Sequence, residues 1–527
     1  MSTSPSPRRL VRAGSSAGGA AGLALWAAAL AASLAPAPAA AQAVAESAIA
    51  VDFAQIRRVV PAMMFGQNLQ PIERGESLLR ADGTPDPDLL ALLGEARITT
   101  LRYPGGTSAD FFHWWQALGP QSSRPRQSTG YLGEYYAPVL GPEEFITLSV
   151  ALRATPFFTA NSGTGSAEEA GAAARFFASR GFPVTFWEVG NEIYFEGIGE
   201  NGLVGLPPEV YARKVIRYAA AIRQEAPYAK VFAAGVIGPE EQTSFWNSVV
   251  LGLAGRYVDG VSVHNAYFPL YGTLPDRTVP SDAYLYTAML GATRAVERST
   301  TVLEEQLRAL GKLIPIFVTE YDGVFYPDPA IEPEATTYAR NSTLACALFN
   351  ASVLNVFLRH ERVYGAHHMA LAGPRFGSLV GGDEGARFRN PQFYVHREYA
   401  REVGNLLVAA TVTPRTGVFS SGPIRLLSGQ TDVPMLDAVA TRSPDGRRYA
   451  LFVVNRSLTH AVEAPVTLGL PAGLGGTVTV LTGPRFDARN TADAPLRVAP
   501  VTAAFPSASS FTHRFAPHSL TVFRWSR

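Results

Sequence analysis

Two glutamates stand at the ends of two predicted β-strands that are far apart in the chain. One strand runs into Val189-Gly190-Asn191-Glu192, and the other, Pro315–Thr319, runs directly into Glu320. A retaining glycosidase requires two carboxylates about 5–5.5 Å apart, because one protonates the departing sugar oxygen while the other attacks the anomeric carbon. Spacing alone leaves open that each glutamate is an ordinary solvated strand end. Asn191 favours the catalytic interpretation, since its amide can hold a sugar hydroxyl beside the reacting centre.

These two carboxylates can face each other only if their strands belong to one sheet. Between about residues 62 and 370, apolar β-rich runs alternate with amphipathic helical stretches. The predicted strands are Met63–Leu69, Ile98–Tyr103, Thr155–Ala160, Val184–Val189, Lys230–Val236, Val258–His264, Leu313–Thr319 and Val363–Met369. Eight strand-then-helix units predict an α/β fold, a (β/α)8 TIM barrel over residues 61–400, in which the strand ends meet at one mouth. A doubly wound open sheet is the alternative.

The helical stretches between these strands carry their own start and stop signals. Periodicity predicts helices over Pro207–Ala226 and Ala283–Leu310. Ser166 and Glu169 are spaced as a capping box, which opens a further helix that ends at Gly181.

The hydrophobic pattern of the sequence changes after about residue 400, where helical periodicity stops. Short strands are predicted over Ala438–Arg442, Tyr449–Asn455, Ala464–Leu468, Val478–Leu481 and Leu520–Trp525. Asp445-Gly446 and Gly475-Gly476 are typical of hairpin turns between such strands. Residues 401–527 are therefore predicted to form a C-terminal antiparallel β-sandwich. Residues 44–60 contain the strand-like run Ala48–Phe53, which has no barrel role and is expected to pair into that sandwich.

The first 43 residues read as an export signal. Arg8, Arg9 and Arg12 supply the positive region, residues 22–35 are apolar, and an A-x-A cleavage pattern ends at Ala43. A membrane anchor is the alternative, but the apolar run is shorter than the roughly 20 residues that a span needs. The Arg8-Arg9 pair leaves open a twin-arginine signal. We expect a secreted or periplasmic protein with no membrane segment once the signal is removed.

Composition excludes several classes of function. The 527 residues carry 45 Lys and Arg against 44 Asp and Glu, a net charge of +1, so a nucleic-acid partner is not expected. The single cysteine, Cys346, excludes a disulfide framework and a Cys-rich zinc site. His367 and His368 are neighbours on one strand and point to opposite faces, so they cannot share one ion. No phosphate-binding or dinucleotide motif is complete, and we expect neither a cofactor nor a metal.

Several segments together resemble the family 51 glycoside hydrolases, the arabinofuranosidases of clan A. Leu101–Thr107 is similar to that family's R-Y-P-G-G-N segment, and Phe112-His113-Trp114 continues the likeness. Asn161–Gly165 resembles its N-x-G-T-G segment, and Val189–Glu192 resembles its acid/base motif. Ser262–His264 resembles the S-x-H that precedes a substrate-facing tyrosine. The matches follow the family's order over about residues 97–323, and the family fold is a barrel with a β-sandwich built from both chain ends.

The resemblance implies a role for each matching residue. Glu192 would be the general acid/base and Glu320 the nucleophile, while Arg102 would hold the nucleophile ionised. Asn191 would bind the sugar next to the scissile bond. The further residues expected at the substrate are His264, Tyr267, Asn68, Asn161 and Trp114.

Each of these assignments has a structural alternative. The alternatives are a barrel-core ion pair for Arg102, a satisfied core histidine for His264, a loop aromatic for Tyr267 and loop packing for Trp114. Strand alternation predicts that Glu188 points the same way as Glu192 but deeper, so we expect it to partner Arg102 or another core group.

Departures from the family pattern bear on the sugar rather than on the reaction. Gln67-Asn68 stand where the family has a glutamate after its first strand, and Thr107 replaces an asparagine. The resemblance therefore favours an exported retaining α-L-arabinofuranosidase acting on a polysaccharide or oligosaccharide. The alternatives are a clan A β-glycosidase, galactofuranosidase or endoglucanase, or an inactive carbohydrate-binding barrel, which would predict loss of one carboxylate. The oligomeric state is not readable from the sequence.

Overall fold

The computed structural model describes residues 44–71, 78–130, 134–195, 204–237, 243–267, 273–274, 276–326, 328, 330–424, 427–470, 474–506 and 508–527. Residues 1–43, which carry the predicted export signal, lie outside the described part. The side chain of Tyr267 also lies outside it, although its backbone is described as the end of a strand.

Eight parallel strands close into a barrel, which confirms the predicted TIM barrel. In chain order the first strands are β1 (Val44–Val59), β2 (Met63–Asn68), β3 (Thr100–Tyr103), β4 (Gln127–Ser128), β5 (Tyr135–Tyr136), β6 (Thr155–Ala160), β7 (Phe186–Val189), β8 (Lys230–Ala234), β9 (Gly260–Tyr267), β10 (Ile316–Asp322) and β11 (Val363–His368). The barrel runs β2-β3-β6-β7-β8-β9-β10-β11 and closes with β11 beside β2. Every residue of β10 is buried, as expected for a parallel strand covered on both faces.

Helices cover the outside of the barrel between its strands. They are α1 (Pro87–Ala96), α2 (Pro142–Leu152), α3 (Ala167–Ser179), α4 (Pro208–Glu225), α5 (Phe245–Ala254), α6 (Asp282–Gly291), α7 (Thr293–Ala309), α8 (Glu334–Asn341), α9 (Leu344–Arg359) and α10 (Pro391–Ala400). Ser166 caps α3 by accepting the backbone N–H of Glu169. Inside the barrel, Phe157, Phe232 and Phe317 form a buried aromatic layer that fills its interior.

The chain from Leu406 onward, together with β1, forms a nine-stranded sheet that curls over its own core. Its strands and the short ribbons beside it are β12 (Val380–Gly381), β13 (Phe388–Arg389), β14 (Leu406–Pro414), β15 (Val418–Ser421), β16 (Gln430–Pro434), β17 (Leu436–Arg442), β18 (Arg448–Asn455), β19 (Ala461–Leu468), β20 (Gly475–Leu481), β21 (Val501–Ala504), β22 (Ser510–Phe515) and β23 (Ser519–Ser526). The order is β21-β20-β23-β18-β17-β14-β1-β19-β22. Strands that are not neighbours in this order pack face to face, since Phe53 of β1 meets Tyr449 of β18 at 5.0 Å between ring centroids. The predicted C-terminal sandwich is confirmed.

The first strand, β1, joins this sheet from the other end of the chain. It lies between β14, to which it runs antiparallel, and β19, to which it runs parallel. The parallel pair is a departure from the all-antiparallel sandwich predicted. The boundaries proposed at residues 60 and 400 stay predictions.

Helix α9 connects the barrel to the sheet. Its residues Leu344–Leu358 are buried, and it packs against barrel strands on one side and against β17, β18 and β23 on the other. Arg359 and Asn355 both bind Asp437 of β17, at 2.8 and 3.1 Å. Among the described residues no single helix is long and apolar enough to cross a membrane, and only the bent pair α8 and α9 passes that test by length and composition.

Some sequence predictions of local structure were wrong. The stretch Ala283–Leu310 forms two helices, because α6 ends at Gly291, a residue of low helix propensity. Gly475-Gly476 is not a turn: both glycines pair with β23 at the start of β20. A Cβ at Gly476 would lie 2.5 Å from the backbone oxygen of Phe505 and 2.7 Å from the Trp525 ring, so glycine is needed for close packing.

Ending the chain at Ala400 should prevent folding. The truncation removes both neighbours of β1 and exposes its buried apolar face, together with one side of α9. We expect insoluble or aggregated protein, measured by solubility, size exclusion and circular dichroism against the chain 44–527. A truncated protein that is soluble, monomeric and fully active would contradict the prediction.

Replacing Cys346 by alanine should leave turnover within a few-fold of the unchanged protein. Its thiol is fully buried in α9 beside Met289 and the backbone oxygen of Arg340, and burial raises the pKa of the thiol strongly. We expect a stability loss of about 1 kcal/mol, typical of a core substitution, and no reaction of the native protein with a thiol reagent. A hundredfold loss of turnover without unfolding would be incompatible with a structural role.

Candidate active site

Arg102 is the centre of a buried polar cluster at the carboxyl ends of the barrel strands. The guanidinium, with no exposed side-chain surface, donates from Nε to Glu188 Oε2 at 2.8 Å and from Nη1 to Glu320 Oε1 at 2.9 Å. Nη1 also donates to Asn68 Oδ1 and Nη2 to Asn191 Oδ1, each at 2.8 Å. Burial lowers the pKa of Arg102, but Glu188 and Glu320 outweigh it and the net shift is upward.

Strand register brings these residues together. Asn68 is paired with Arg102 across β2 and β3, and His264 is paired with Glu320 across β9 and β10. Glu188 lies beside Thr159 of β6 and accepts hydrogen bonds from the hydroxyls of Thr159 and Thr319, at 2.9 and 3.0 Å. Glu188 is thus the deep partner of Arg102, as strand alternation suggested, and all its contacts lie within the barrel.

Glu192 and Glu320 face each other with His264 between them. His264 Nδ1 lies 2.9 Å from Glu192 Oε1 and 3.5 Å from Glu320 Oε2. One carboxylate oxygen of each glutamate and one nitrogen of the histidine all fall within 4.8 Å of one another. Oxygens at most 4.8 Å apart fit the carboxyl separation of about 5–5.5 Å in retaining glycosidases better than the roughly 6.5–9.5 Å of inverting ones.

The ring of His264 lies against both carboxylates. Burial lowers the pKa of His264, but the charge of Glu320 and the hydrogen bond to Glu192 outweigh burial and raise it overall. Glu192, His264 and Glu320 are also the cluster of metal-ligand type in the described part of the chain.

The turn after β7 positions Asn191 and Glu192 from the outside. The backbone N–H of Asn191 donates to Asp110 Oδ2 at 2.9 Å, while its side chain accepts from Arg102. Tyr194 donates to Glu192 Oε1 at 3.4 Å. Asp110 was missed by the sequence analysis, because 81 residues separate it from Asn191 and no motif marks it.

Three residues predicted to contact the substrate instead form hydrogen bonds with the protein's own backbone. Asn68 is buried and donates to the backbone oxygen of Thr319 at 2.9 Å, so it ties β2 to β10. Asn161 accepts the backbone N–H groups of Thr164 and Gly165 and thereby shapes the turn after β6. Trp114 donates its Nε1 hydrogen to a backbone oxygen and packs on Phe176 at 5.1 Å.

The two neighbouring histidines of β11 point to opposite faces, as predicted. His367 lies in the barrel interior, 5.2 Å from Phe157, where burial strongly lowers its pKa. His368 faces the helices and lies 3.2 Å from both Asp322 Oδ1 and Gln67 Oε1. Neither histidine is placed to share an ion with the other.

Comparisons with known proteins agree with this geometry. Residues 320–519 match the family model of the α-L-arabinofuranosidase C-terminal domain. The chain is 26% identical to a probable α-L-arabinofuranosidase C of Aspergillus niger, over 83% of this chain and 87% of that protein. The structure resembles the GH51 α-L-arabinofuranosidase of Thermotoga petrophila RKU-1, with a TM-score of 0.74 and 23% identity over 91% of this chain and all of the other. The structure also resembles the GH51 arabinofuranosidase of Xanthomonas axonopodis, with a TM-score of 0.75 and 20% identity over 91% of this chain and all of the other.

Fold, carboxylate spacing and sequence relatives together define a retaining glycoside hydrolase. More narrowly, the findings support a glycoside hydrolase of the arabinofuranosidase type, and the fold resembles that of the family 51 enzymes.

Replacing Arg102 by alanine should be strongly destabilising and should abolish turnover. It leaves Glu188 and Glu320 buried without their cation, a change that typically costs about 3–5 kcal/mol. Arg102→Lys should rescue only in part, because an ammonium cannot reproduce the guanidinium fork. Unfolding in urea measures the first effect and activity the second. The control is Arg175→Ala, which breaks an exposed pair with Glu225 and should barely change stability; equal stability of the two alanine variants would contradict the prediction.

Proposed function

We propose that this protein is an exported α-L-arabinofuranosidase in which Glu320 is the nucleophile and Glu192 the general acid/base. The observation that carries the proposal is the separation of at most 4.8 Å between oxygens of these two carboxylates. That gap has room for the anomeric carbon and leaving oxygen of one sugar, but not for an intervening water.

The unequal surroundings of the two glutamates support the division of roles. Glu320 is buried and accepts a hydrogen bond from Arg102, so its anion is held ready to attack. Glu192 is more exposed, with a fifth of its side chain accessible, and its neighbours are His264 and Tyr194. A group that must give up a proton and take one back from water needs this access.

The reaction then runs as a double displacement. A Glu320 oxygen attacks the anomeric carbon and forms a glycosyl ester, while the bond to the leaving oxygen breaks and that oxygen takes the Glu192 proton. Glu192, now a carboxylate, removes a proton from water, and the resulting hydroxide attacks the anomeric carbon and releases Glu320. Glu192 ends protonated, and the product keeps the anomeric configuration of the substrate.

We infer the substrate class from the names of similar proteins. The similar proteins of Aspergillus niger and Thermotoga petrophila are named α-L-arabinofuranosidases. We accordingly propose the arabinofuranosyl ends of polysaccharides or oligosaccharides as the substrate class. Export to the periplasm or the medium rests on the first 43 residues of the sequence alone.

Variants of the two glutamates should differ in a diagnostic way. Glu320→Ala should lose roughly 10³-fold or more of turnover on every substrate, because covalent catalysis is removed. Glu192→Ala should lose much less on substrates with an activated phenol as leaving group, which departs without full protonation. Azide should rescue both, giving a glycosyl azide of retained configuration from Glu192→Ala and of inverted configuration from Glu320→Ala.

Glu169→Gln is the matched control, since Glu169 binds His113 outside the cluster and should keep turnover within a few-fold. A panel of aryl glycosides, furanosides included, identifies the sugar. Full activity of Glu320→Ala, or an inverted first product from the unchanged enzyme, would overturn the proposed mechanism. Turnover of pyranosides with no turnover of arabinofuranosides would overturn the substrate class.

A further inference from the structure

Asp110 is a buried carboxylate that joins three loops at the catalytic mouth. It ends the short 3-10 helix Thr107–Asp110 that follows β3. Its Oδ2 accepts the backbone N–H of Asn191 in the turn after β7, at 2.9 Å. Its Oδ1 accepts the backbone N–H and the hydroxyl of Ser162, which follows β6, at 3.1 and 3.4 Å.

Gly190 lets the turn after β7 approach this carboxylate closely. Its φ is +74°, which strongly favours glycine. A Cβ at Gly190 would lie 2.2 Å from Ser162 Oγ and 3.1 Å from Asp110 Oδ1, so no side chain separates the turn from Asp110. Asn191 is therefore held at two points, by Asp110 at its backbone and by Arg102 at its side chain.

We propose that Asp110 is a positioning residue for Glu192, which it acts on through the backbone of Asn191. Glu192 follows Asn191 directly, and no regular hydrogen-bonded strand or helix fixes this turn. An anionic acceptor on the Asn191 N–H determines where the next residue presents its carboxyl. The inference rests on the proposed acid/base role of Glu192.

Burial and a neighbouring carboxylate disfavour the negative charge of Asp110, while backbone N–H groups favour it. Burial raises the pKa of Asp110 to about 6, against the lowering effect of the Asn191 and Ser162 N–H groups, and the charge of Glu188 raises it further. Lys214 of α4 donates to the backbone oxygen of Ser162, and its charge interacts with that of Asp110.

Among the described residues, the phenols of Tyr211 and Tyr218, also on α4, interact with the charge of Asp110 as well. Because the pKa of Asp110 is higher in the folded chain than in a free aspartate, its protonation between about pH 6 and pH 4 stabilises the fold. If the turn containing Asn191 loosens between pH 6 and pH 4, global unfolding caused by protonation of Asp110 cannot be the reason, because that protonation stabilises the fold.

The test compares leaving groups in Asp110→Asn. The amide keeps one acceptor but directs an N–H toward a backbone donor, so the turn loses a hydrogen bond to a charged group. We expect kcat/KM to fall about ten- to hundredfold on an alkyl or oligosaccharide substrate, the range for such a bond. On a dinitrophenyl glycoside, which needs no proton from Glu192, we expect a fall of less than about threefold. A merely structural defect lowers both rates alike, and that result would overturn the inference.

Asp86→Asn is the matched control. Asp86 is another buried carboxylate that accepts two backbone N–H groups, those of Asp88 and Leu89, but it caps α1 outside the cluster. It should leave the ratio of the two rates unchanged. Glu192→Ala in the same panel separates the two proposals. If the rate loss of Glu192→Ala does not depend on the leaving group, the proposed function fails. If the rate loss of Glu192→Ala depends on the leaving group but that of Asp110→Asn does not, only the role of Asp110 fails.

A measurement on the unchanged protein covers the case in which Asp110→Asn does not fold. Hydrogen exchange of the peptide containing residues 187–193 should, after correction for intrinsic rates, lose protection as the pH falls through about 6. Peptides from α1 provide the reference. Protection that stays constant from pH 7 to pH 4.5 would overturn the inference.

Discussion

A guanidinium buried between two carboxylates is the interaction on which the site depends. Taking Arg102 and its two partners out of water costs several kcal/mol for each ion, and the cost is offset only where geometry is good and the remaining donors are satisfied. Here the guanidinium reaches Glu188, Glu320, Asn68 and Asn191. Those partners come from three different segments of the barrel, at β2, β7 and β10, so the barrel must close in the correct register for the charges to be tolerated at all.

The same cluster makes the two facing glutamates chemically different. Glu320 shares Arg102 with Glu188 and is anchored on a strand that is buried throughout. Glu192 lies three residues beyond its strand, on a turn held by Asp110 and facing His264. One carboxylate is thus fixed and charge-compensated, and the other is held by a loop and open to solvent. A double displacement requires this inequality, because one group must remain an anion while the other exchanges a proton in both steps.

The barrel was predictable because its signal is repeated and local. Each strand is a short apolar run, each helix has its period and caps, and eight such units admit few arrangements. Strand alternation predicted that Glu188 points inward to Arg102 or another core group, and the structure shows that the partner is Arg102. The sandwich was harder to read at its edge, since β21 is exposed along its whole length and its burial shows no period of two.

What the sequence could not predict depends on contacts between distant loops. Asp110 meets Asn191 only because β3, β6 and β7 lie side by side, and nothing in its own neighbourhood marks it. Asn161 and Trp114 follow strand ends just as Glu192 does, yet their polar atoms are satisfied by nearby backbone. A position just after a strand therefore places a residue at the catalytic end of the barrel. Whether its side chain is available to a substrate depends on whether its polar atoms already form hydrogen bonds within the protein.

This distinction bears on the sugar. The resemblance to family 51 implies a glutamate after the first barrel strand that grips the substrate, and this chain has Gln67-Asn68 at that place. Both amides are buried: Asn68 faces Arg102, and Gln67 lies 3.2 Å from a ring nitrogen of His396 and from one of His368. An ionised glutamate at either position would bring a further negative charge beside Glu188 and Glu320 or into a pocket where burial lowers the pKa of His396 to about 3. The end of β2 thus supports the cluster around Arg102 through hydrogen bonds that engage both of its amides.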